Sequence, residues 1–324
     1  MSDETAPNAR LSDELRDLIA PVERQFDPAS EEPLLARLRL AQSRLRRSTA
    51  GLSASRLPGF GTTFRDLRPY TAGDDVRQID WRATARSPQP FVRRTEQEVD
   101  RRVQMILDAS GSMATGTTGR SKWSLGVELA GLIGLLAASE GAAVGWAAAE
   151  ATRPPRSQRE SILEAVAKLD RLQPRGQESL GENVARFAAS QAKPTTVVLV
   201  TDFYAFPMTT GDGRRPRTSE SDRVLRRGLS VLSRRHEVWT VLLFDRTERA
   251  LPPSGLIRFA DPESGRRRVV DTDSSAVRTA FAEAAAERRA AVLRQLRPVS
   301  RVVEVGTDEQ AVDVLTRSGL GTGR

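Results

Sequence analysis

Aspartates that end predicted strands are the residues of this chain best suited to chemistry. Asp108 closes the apolar run 103–108 and opens the sequence Asp-Ala-Ser-Gly-Ser, which places Ser110 and Ser112 at alternate positions after it. One carboxylate and two hydroxyls on a tight loop form an oxygen-only ligand set, which suits Mg²⁺ or Mn²⁺. Asp202 closes another apolar run, and ligands of open parallel sheets bind beyond the carboxyl ends of the strands. The pattern therefore predicts a divalent-cation site formed by these four residues.

The same loop also has a purely structural interpretation. Serines that follow a strand can cap the next helix in a solvated loop. An acid at a strand end is common in such folds, and Asp245 ends a third predicted strand. The placement of Asp108 and Asp202 at two strand ends favours the metal site over the capping loop.

Composition excludes several classes of enzyme. The 324 residues contain no cysteine, which excludes thiolate nucleophiles, iron–sulfur clusters, cysteine-ligated zinc and disulfides. The single histidine, His236, opens a predicted strand, where we expect a packing or surface residue rather than the base of a Ser-His-Asp triad. Residues 116–122 resemble a phosphate-binding loop, but the spacing of its glycines and Lys122 does not match that motif. We therefore expect no intrinsic nucleotide site.

The positive charge of the chain is a weak guide to its partners. The formal net charge is +8, and almost all of the basic residues are arginines. A GC-rich bacterial coding bias is the favoured explanation of this usage, and selection for phosphate or carboxylate binding is the alternative. The basic run 214–235 is predicted to be a solvated helix face, with binding of acidic protein or nucleic acid as the alternative.

Strands and helices alternate from about residue 101 onward. Apolar runs predict strands at 103–108, 143–148, 195–202, 236–245 and 302–305. Helices are predicted between and after them at 122–139, 157–169, 180–191, 219–234, 274–296 and 308–316. A β-ribbon is predicted from 257–259 and 268–271. This alternation predicts an α/β fold with a doubly wound, mainly parallel sheet over residues 101–320.

The first hundred residues have a different character. Residues 1–30 are polar and predicted to be a flexible tail, whereas residues 31–100 form an accessory segment. That segment combines an amphipathic helix at 33–48 with an extended part and a strand at 91–99. The start of the chain lacks a signal-peptide pattern, and charged residues and glycines interrupt the apolar stretch 125–149, so we expect no membrane span and a cytoplasmic location.

A second motif-rich region lies in this accessory segment, at residues 59–86. Acidic and basic residues alternate there at short range around two aromatics. One interpretation is an internal lattice of ion pairs that pins an extended segment, with Tyr70 and Trp81 packed beneath it. The other is an active or partner-binding surface, and we favour the lattice. The residues concerned are Arg68, Tyr70, Asp74, Asp75, Arg77, Asp80, Trp81 and Arg86.

These two motifs resemble a known family. Asp-Ala-Ser-Gly-Ser on a doubly wound pattern resembles the metal-ion-dependent adhesion site of von Willebrand factor A-type domains. Residues 59–86 resemble the signature of the von Willebrand factor A-like family called domain of unknown function 58. Members of that family are often encoded beside MoxR-type AAA+ ATPases. The resemblance implies a Rossmann-like, von Willebrand factor A-like fold.

The resemblance also implies a set of metal ligands. Asp108, Ser110 and Ser112 match the first motif of the adhesion site, and Asp202 matches its later aspartate. The family's threonine position falls in residues 176–179, where this chain has no threonine. Either Glu178 or Ser179 supplies that oxygen, or the site is degraded. The expected cofactor is Mg²⁺ or Mn²⁺.

The function implied by the resemblance is that of a non-enzymatic adaptor. Its partners would be a MoxR-type AAA+ ATPase and a client protein, in chaperone-like remodelling or maturation. The cation would keep one open position for a partner's carboxylate. Two other functions stay open: a basic nucleic-acid-binding protein and a metal-dependent phosphoryl-transfer enzyme. Against the latter, the sequence places no second acid cluster or phosphate-gripping lysine beside Asp108.

Overall fold

The computed structural model describes most of the chain after residue 100 and parts of the segment before it. The described residues are Leu38 and residues 63–71, 79–85, 87–96, 101–117, 119–149, 151–156, 159–174, 180–206, 220–260 and 267–320. The predicted tail, most of the predicted helix 33–48, and the signature residues Asp74, Asp75, Arg77 and Arg86 lie outside them.

A six-stranded sheet forms the centre of the fold. The described strands are β1 Thr63–Pro69, β2 Phe91–Glu96, β3 Arg102–Leu107, β4 Ala143–Ala148, β5 Ala151–Arg156, β6 Thr196–Asp202, β7 Glu237–Phe244, β8 Leu256–Ala260, β9 Arg267–Asp271 and β10 Arg301–Gly306. The spatial order in the central sheet is β10-β7-β6-β3-β4-β5. All neighbours in it are parallel except β4 and β5. The predicted doubly wound, mainly parallel sheet is confirmed.

Helices cover both faces of this sheet. The described helices are α1 Trp81–Thr84, α2 Lys122–Ser139, α3 Arg159–Arg171, α4 Leu180–Ser190, α5 Glu220–Arg235, α6 Ser275–Leu296 and α7 Ala311–Ser318. Helices α2, α3 and α7 share one apolar cluster with Met105 and Leu107 of β3. Helices α4, α5 and α6 share the other cluster with Ile106 of the same strand. Successive residues of a strand point to opposite faces, so β3 contributes to both layers.

Helix α2 is the most enclosed of the described helices. Among the described helices it has the length and hydropathy of a membrane span, and 83% of its 18 residues are buried inside the protein, as in the core helix of a globular fold. At Gly126 a Cβ atom would lie only 3.0 Å from Val200 of β6. This close approach brings the beginning of α2 against the end of β6.

The edge strand β5 was not predicted from the sequence. Its sequence, Ala-Thr-Arg-Pro-Pro-Arg, contains two prolines, which are poor ladder residues and occur mainly at sheet edges. It pairs antiparallel with β4 through a register shift beside Gly145. A Cβ atom at Gly145 would lie 2.7 Å from the backbone nitrogen of Pro155, so the bulged strand needs a glycine opposite it.

Antiparallel ribbons lie outside the central sheet. The predicted ribbon forms as β8–β9, and the accessory segment contributes β1–β2 and the short helix α1. Asp80 donates its backbone N–H to the carbonyl of Phe91 at 2.9 Å, which ties the described part of the signature region to β2. Trp81 was expected to pack beneath that region, but its side chain is 69% exposed, so this expectation is wrong. Tyr70 is half-buried.

Candidate functional site

The switch point of the sheet lies between β3 and β6. The chain leaves β3 toward β4 and β5 on one side, and later returns to β6 on the other side. Loops diverge at such a point, and open α/β sheets bind ligands in the crevice that results. Asp108 follows β3 and Asp202 ends β6, so both predicted acids lie at this edge.

The structure brings Asp108, Ser110 and Ser112 together. One carboxylate oxygen of Asp108 accepts the backbone N–H of Ser110 at 2.9 Å, and the other accepts the hydroxyl of Thr201 at 2.7 Å. The hydroxyl oxygens of Ser110 and Ser112 are 3.1 Å apart. Asp108 and Ser112 are each only 1% exposed, whereas Ser110 is half-buried at the rim. Burial and the neighbouring charge of Asp202 raise the pKa of Asp108 despite these hydrogen bonds.

The capping interpretation of these serines does not match the geometry. Ser110 precedes a short 3₁₀ turn, Gly111–Ala114, but its side chain makes no capping hydrogen bond there. Helix α2 is capped instead by Ser121, whose hydroxyl accepts the backbone N–H of Ser124 at 3.1 Å. The serine hydroxyls after Asp108 are therefore not used to start the helix.

A lysine that the sequence analysis did not assign to the site lies at its centre. Lys122 is the first residue of α2, and its side chain is fully buried. Its Nζ lies 2.6 Å from Oδ2 of Asp202 and 2.6 Å from Oε1 of Glu248. Burial alone would lower the pKa of Lys122, but the charges of Asp202 and Glu248 outweigh it and raise the pKa. The ammonium is therefore charged at neutral pH.

Both carboxylates that hold this ammonium are themselves fixed by backbone donors. Asp202 accepts the N–H of Tyr204 through its other oxygen at 2.8 Å. Glu248 accepts the N–H of Asp245 through its other oxygen at 3.0 Å, as part of a capping box on the turn that follows β7. Burial raises the pKa of Glu248, and Lys122 opposes that rise. The three side chains form one rigid cluster.

The third strand-end acid, Asp245, serves to join loops. It accepts hydrogen bonds from the backbone and hydroxyl of Thr117, the backbone and hydroxyl of Thr247, and the hydroxyl of Thr307. Burial opposes ionisation, but the bonds from Thr117 and Thr247 outweigh it and lower the pKa of Asp245. Asp245 thus links the loops after β3, β7 and β10.

The predicted ligand set does not suit a divalent cation as it is arranged here. Asp202 already holds the Lys122 ammonium, which leaves Asp108 with the hydroxyls of Ser110 and Ser112. Glu178 and Ser179, the candidates for the remaining position, lie outside the described residues.

Lys122 and Glu248 left only faint signals in the sequence. Lysine is scarce, since only Lys122, Lys168 and Lys193 occur among 50 basic residues, and Lys122 stands at the start of an apolar helix. Glu248 stands three residues after Asp245, the spacing of a capping box. Neither signal indicates that the two side chains meet, because 126 residues separate them.

Comparisons with known proteins find a matching family model and several related sequences. A family model described as "Protein of unknown function DUF58" matches residues 66–291, more than half of the chain. Uncharacterized proteins Rv1480 of Mycobacterium tuberculosis and Mb1516 of Mycobacterium bovis are each 29% identical over 248 residues, which cover 74% of this chain and 73% of each relative.

Solved structures show a weaker likeness. The conserved hypothetical protein BatB from Bacteroides thetaiotaomicron is 12% identical, covers 67% of this chain and 96% of its own, and has a TM-score of 0.37. A von Willebrand factor type A protein from Catenulispora acidiphila is 13% identical, covers 68% of this chain and 42% of its own, and has a TM-score of 0.35. Both TM-scores are too low to support a structural argument, so the fold assignment rests on the strand order described above. Because the family model spans most of the sheet and the signature region, this chain belongs to the DUF58 family.

Proposed function

We propose that this protein is a non-enzymatic, von Willebrand factor A-like adaptor that docks another protein on the carboxyl edge of its central sheet. The proposed partner is a MoxR-type AAA+ ATPase, and the proposed outcome is remodelling or maturation of a client protein. The observation that carries the proposal is a contrast in exposure at this sheet edge. The charged cluster of Lys122, Asp202 and Glu248 is buried, whereas residues of the neighbouring loops, which we call the rim, are exposed to solvent. Asp202 and Lys122 have no exposed side-chain surface, whereas Ser110 is partly exposed.

The rim offers groups that a partner can bind. The side chain of Arg246, which follows Asp245 at the end of β7, is 73% exposed and pairs with Asp308 after β10 at 2.5 Å. Ser110 and the exposed Ala114 lie in the loop after β3. An arginine can bind a partner's carboxylate with two parallel hydrogen bonds, and such residues often dominate interface energetics.

The sealed acids also argue against the rival enzymatic function. A metal-dependent phosphoryl transfer needs acids that reach both the metal and the substrate. Asp108 is 1% exposed and Asp202 is fully buried, while Lys122 is committed to two carboxylates. This arrangement favours a structural cluster beneath a docking surface.

The test is co-purification of the protein with a MoxR-type AAA+ ATPase from the same genome. Arg246→Glu should weaken recovery about tenfold, equivalent to about 1.4 kcal/mol, because it replaces a rim cation with an anion. Arg226→Glu, at an exposed position on α5, is the matched control and should leave recovery unchanged. Circular dichroism of each variant checks that the fold is intact.

Two outcomes would contradict the proposal. One is a complete lack of association between the wild-type protein and the ATPase. The other is equal recovery of the wild type and Arg246→Glu together with a loss for Arg226→Glu. The second result would move the interface to the arginine face of α5, where salt-dependent retention of nucleic acid would then be measured.

A further inference from the structure

We infer that the ammonium of Lys122 is the resident cation of this sheet edge. It lies between the carboxylates of Asp202 and Glu248 in the position that a metal ion would otherwise take, and the site is held together without a divalent metal ion. The inference does not depend on the adaptor function. It concerns what balances the acids, whether or not a partner docks above them.

The first support is the way in which Lys122 is coordinated. Its Nζ makes equally short contacts of 2.6 Å to Asp202 and to Glu248. The two carboxylates come from different parts of the sheet, since Asp202 ends β6 and Glu248 lies in the turn after β7. The aromatic ring of Tyr204 lies 5.1 Å from Nζ and offers its face to the same cation. The ammonium thus joins α2, β6 and the turn after β7, as a bound ion would.

The second support is the burial of the whole cluster. The side chains of Lys122 and Asp202 are both 0% exposed, and that of Glu248 is 7% exposed. Charges removed from water to this degree persist only when they are paired and hydrogen-bonded. The backbone N–H groups of Tyr204 and Asp245 complete the hydrogen bonding of the two carboxylates. No further ligand is needed to satisfy them.

The third support is the repulsion that a divalent ion would meet. Mg²⁺ lies about 2.1 Å from the carboxylate oxygens that bind it. Since Nζ of Lys122 is 2.6 Å from Oδ2 of Asp202, an ion on that same oxygen would lie within about 5 Å of the ammonium, and the other oxygen already accepts the N–H of Tyr204. Like charges at this separation in a buried site repel strongly. A divalent ion and Lys122 are therefore alternatives at Asp202.

The test exchanges the two cations. Lys122→Met keeps the apolar part of the side chain but ends one atom short of Nζ, and so leaves room between Asp202 and Glu248. We expect this variant to be less stable than the wild type in the absence of metal. Mn²⁺ should restore it saturably, raising the folded-to-unfolded ratio about 100-fold at 100-fold excess over its dissociation constant. Thermal unfolding with and without Mn²⁺ gives the readout.

Matched variants keep this result specific. Lys168→Met removes an exposed lysine and should show no stabilisation by Mn²⁺. Adding Glu248→Gln to Lys122→Met should abolish the gain, because one of the two ligands is lost. A Lys122→Met variant that folds but does not respond to Mn²⁺ would overturn the inference.

A measurement on the wild type decides the matter if Lys122→Met does not fold. With ¹⁵N-labelled lysine, the three lysines of the chain give three ammonium signals, of which only Lys122 should exchange slowly with water. Millimolar Mn²⁺ should leave that signal sharp. Broadening of the Lys122 signal at saturating Mn²⁺, with binding lost in Asp108→Asn, would overturn the inference. A failure to recover the ATPase in the co-purification would instead bear only on the adaptor function.

Discussion

The neighbouring acids Asp108 and Asp202 differ in what their negative charge contributes to the stability of the fold. Asp108 is held by hydrogen bonds from Thr201 and Ser110, and both burial and the charge of Asp202 disfavour its ionised form. Asp202 is paired with the Lys122 ammonium. The same substitution at the two positions is therefore expected to have opposite effects on stability.

Asp108→Asn should leave the free energy of unfolding at pH 7 unchanged or raise it. It removes a charge that burial disfavours. The hydroxyl of Thr201, which donates to Asp108, can rotate and accept a hydrogen bond from the NH₂ group of the new asparagine. Asp202→Asn should lower the free energy of unfolding by about 3–5 kcal/mol, because it leaves a buried ammonium with one partner fewer. Urea denaturation of both variants checks this. Equal losses would show that the two carboxylates share one role.

His236 gives a pH dependence that can be isolated, since it is the only histidine of the chain. It is 8% exposed, and within the described structure neither ring nitrogen has a hydrogen-bond partner. Burial, and then the charge of Arg235, lower its pKa below the usual 6.5. The unfolded chain therefore takes up this proton first as the pH falls, so folding loses stability between pH 6.5 and the pKa of the folded state.

His236→Phe should remove that loss. The new ring keeps the contact with Phe187, whose centroid lies 5.8 Å from the imidazole, and buries no unsatisfied nitrogen. The variant should be about 1 kcal/mol more stable than the wild type at pH 7, with a larger difference at pH 5.5. Denaturation at both pH values measures the difference. A gap between variant and wild type that stays constant with pH would contradict the assignment.

At the scale of elements, a helix cap holds the described part of the signature region together. The carboxylate of Asp80 accepts the backbone N–H groups of Arg82 and Ala83 at 3.0 and 3.1 Å and so caps α1. The hydroxyl of Thr84 in the same helix accepts the N–H of Phe91, the first residue of β2, at 3.0 Å. Helix α1 is thereby fixed to the ribbon that precedes the central sheet.

Asp80→Ala should lower the free energy of unfolding by about 1 kcal/mol through loss of the cap. Asp80→Asn is the matched control, because asparagine caps a helix about as well as aspartate but carries no charge. The two variants would be compared by thermal unfolding. A loss for Asp80→Asn as large as that for Asp80→Ala would favour the predicted lattice of ion pairs over the cap.

Regular elements are the part of this protein that its sequence predicts well. Helix α2 and strand β4 begin and end at the predicted residues, because α2 is a long, mainly apolar stretch bounded by Ser121 and Gly141, and β4 is the short apolar run that follows. Strand β5 escaped prediction because its pairing depends on Gly145 in a neighbouring strand rather than on its own residues. Local sequence patterns therefore predict elements such as α2 and β4, but they do not predict a strand whose pairing depends on a residue elsewhere in the chain.

At the scale of the whole molecule, sheet topology explains why Asp108 and Asp202 lie together, but not why Lys122 and Glu248 join them. The rule for switch points correctly places Asp108 and Asp202 at one edge, because parallel strands all end there. Lys122 reaches that edge only because α2 packs closely at Gly126, and Glu248 only because the turn after β7 folds back. The distances between these elements are set by the packing of the whole core, and the spacing of residues along the sequence does not encode them.

The enclosure of α2 has a consequence for how the chain is made. This helix packs against β3 and β4 beside it in the sequence, but also against β6, β7 and α7. Val314, Leu315 and Leu320 near the end of the chain belong to the same apolar cluster. A ribosome that adds about 5–20 residues per second completes α7 roughly 9 to 36 seconds after α2. During that interval the nascent chain exposes a helix with the hydropathy of a membrane span, which later parts of the chain have yet to cover, so α2 is the segment of this fold most prone to aggregate or to need a chaperone during synthesis.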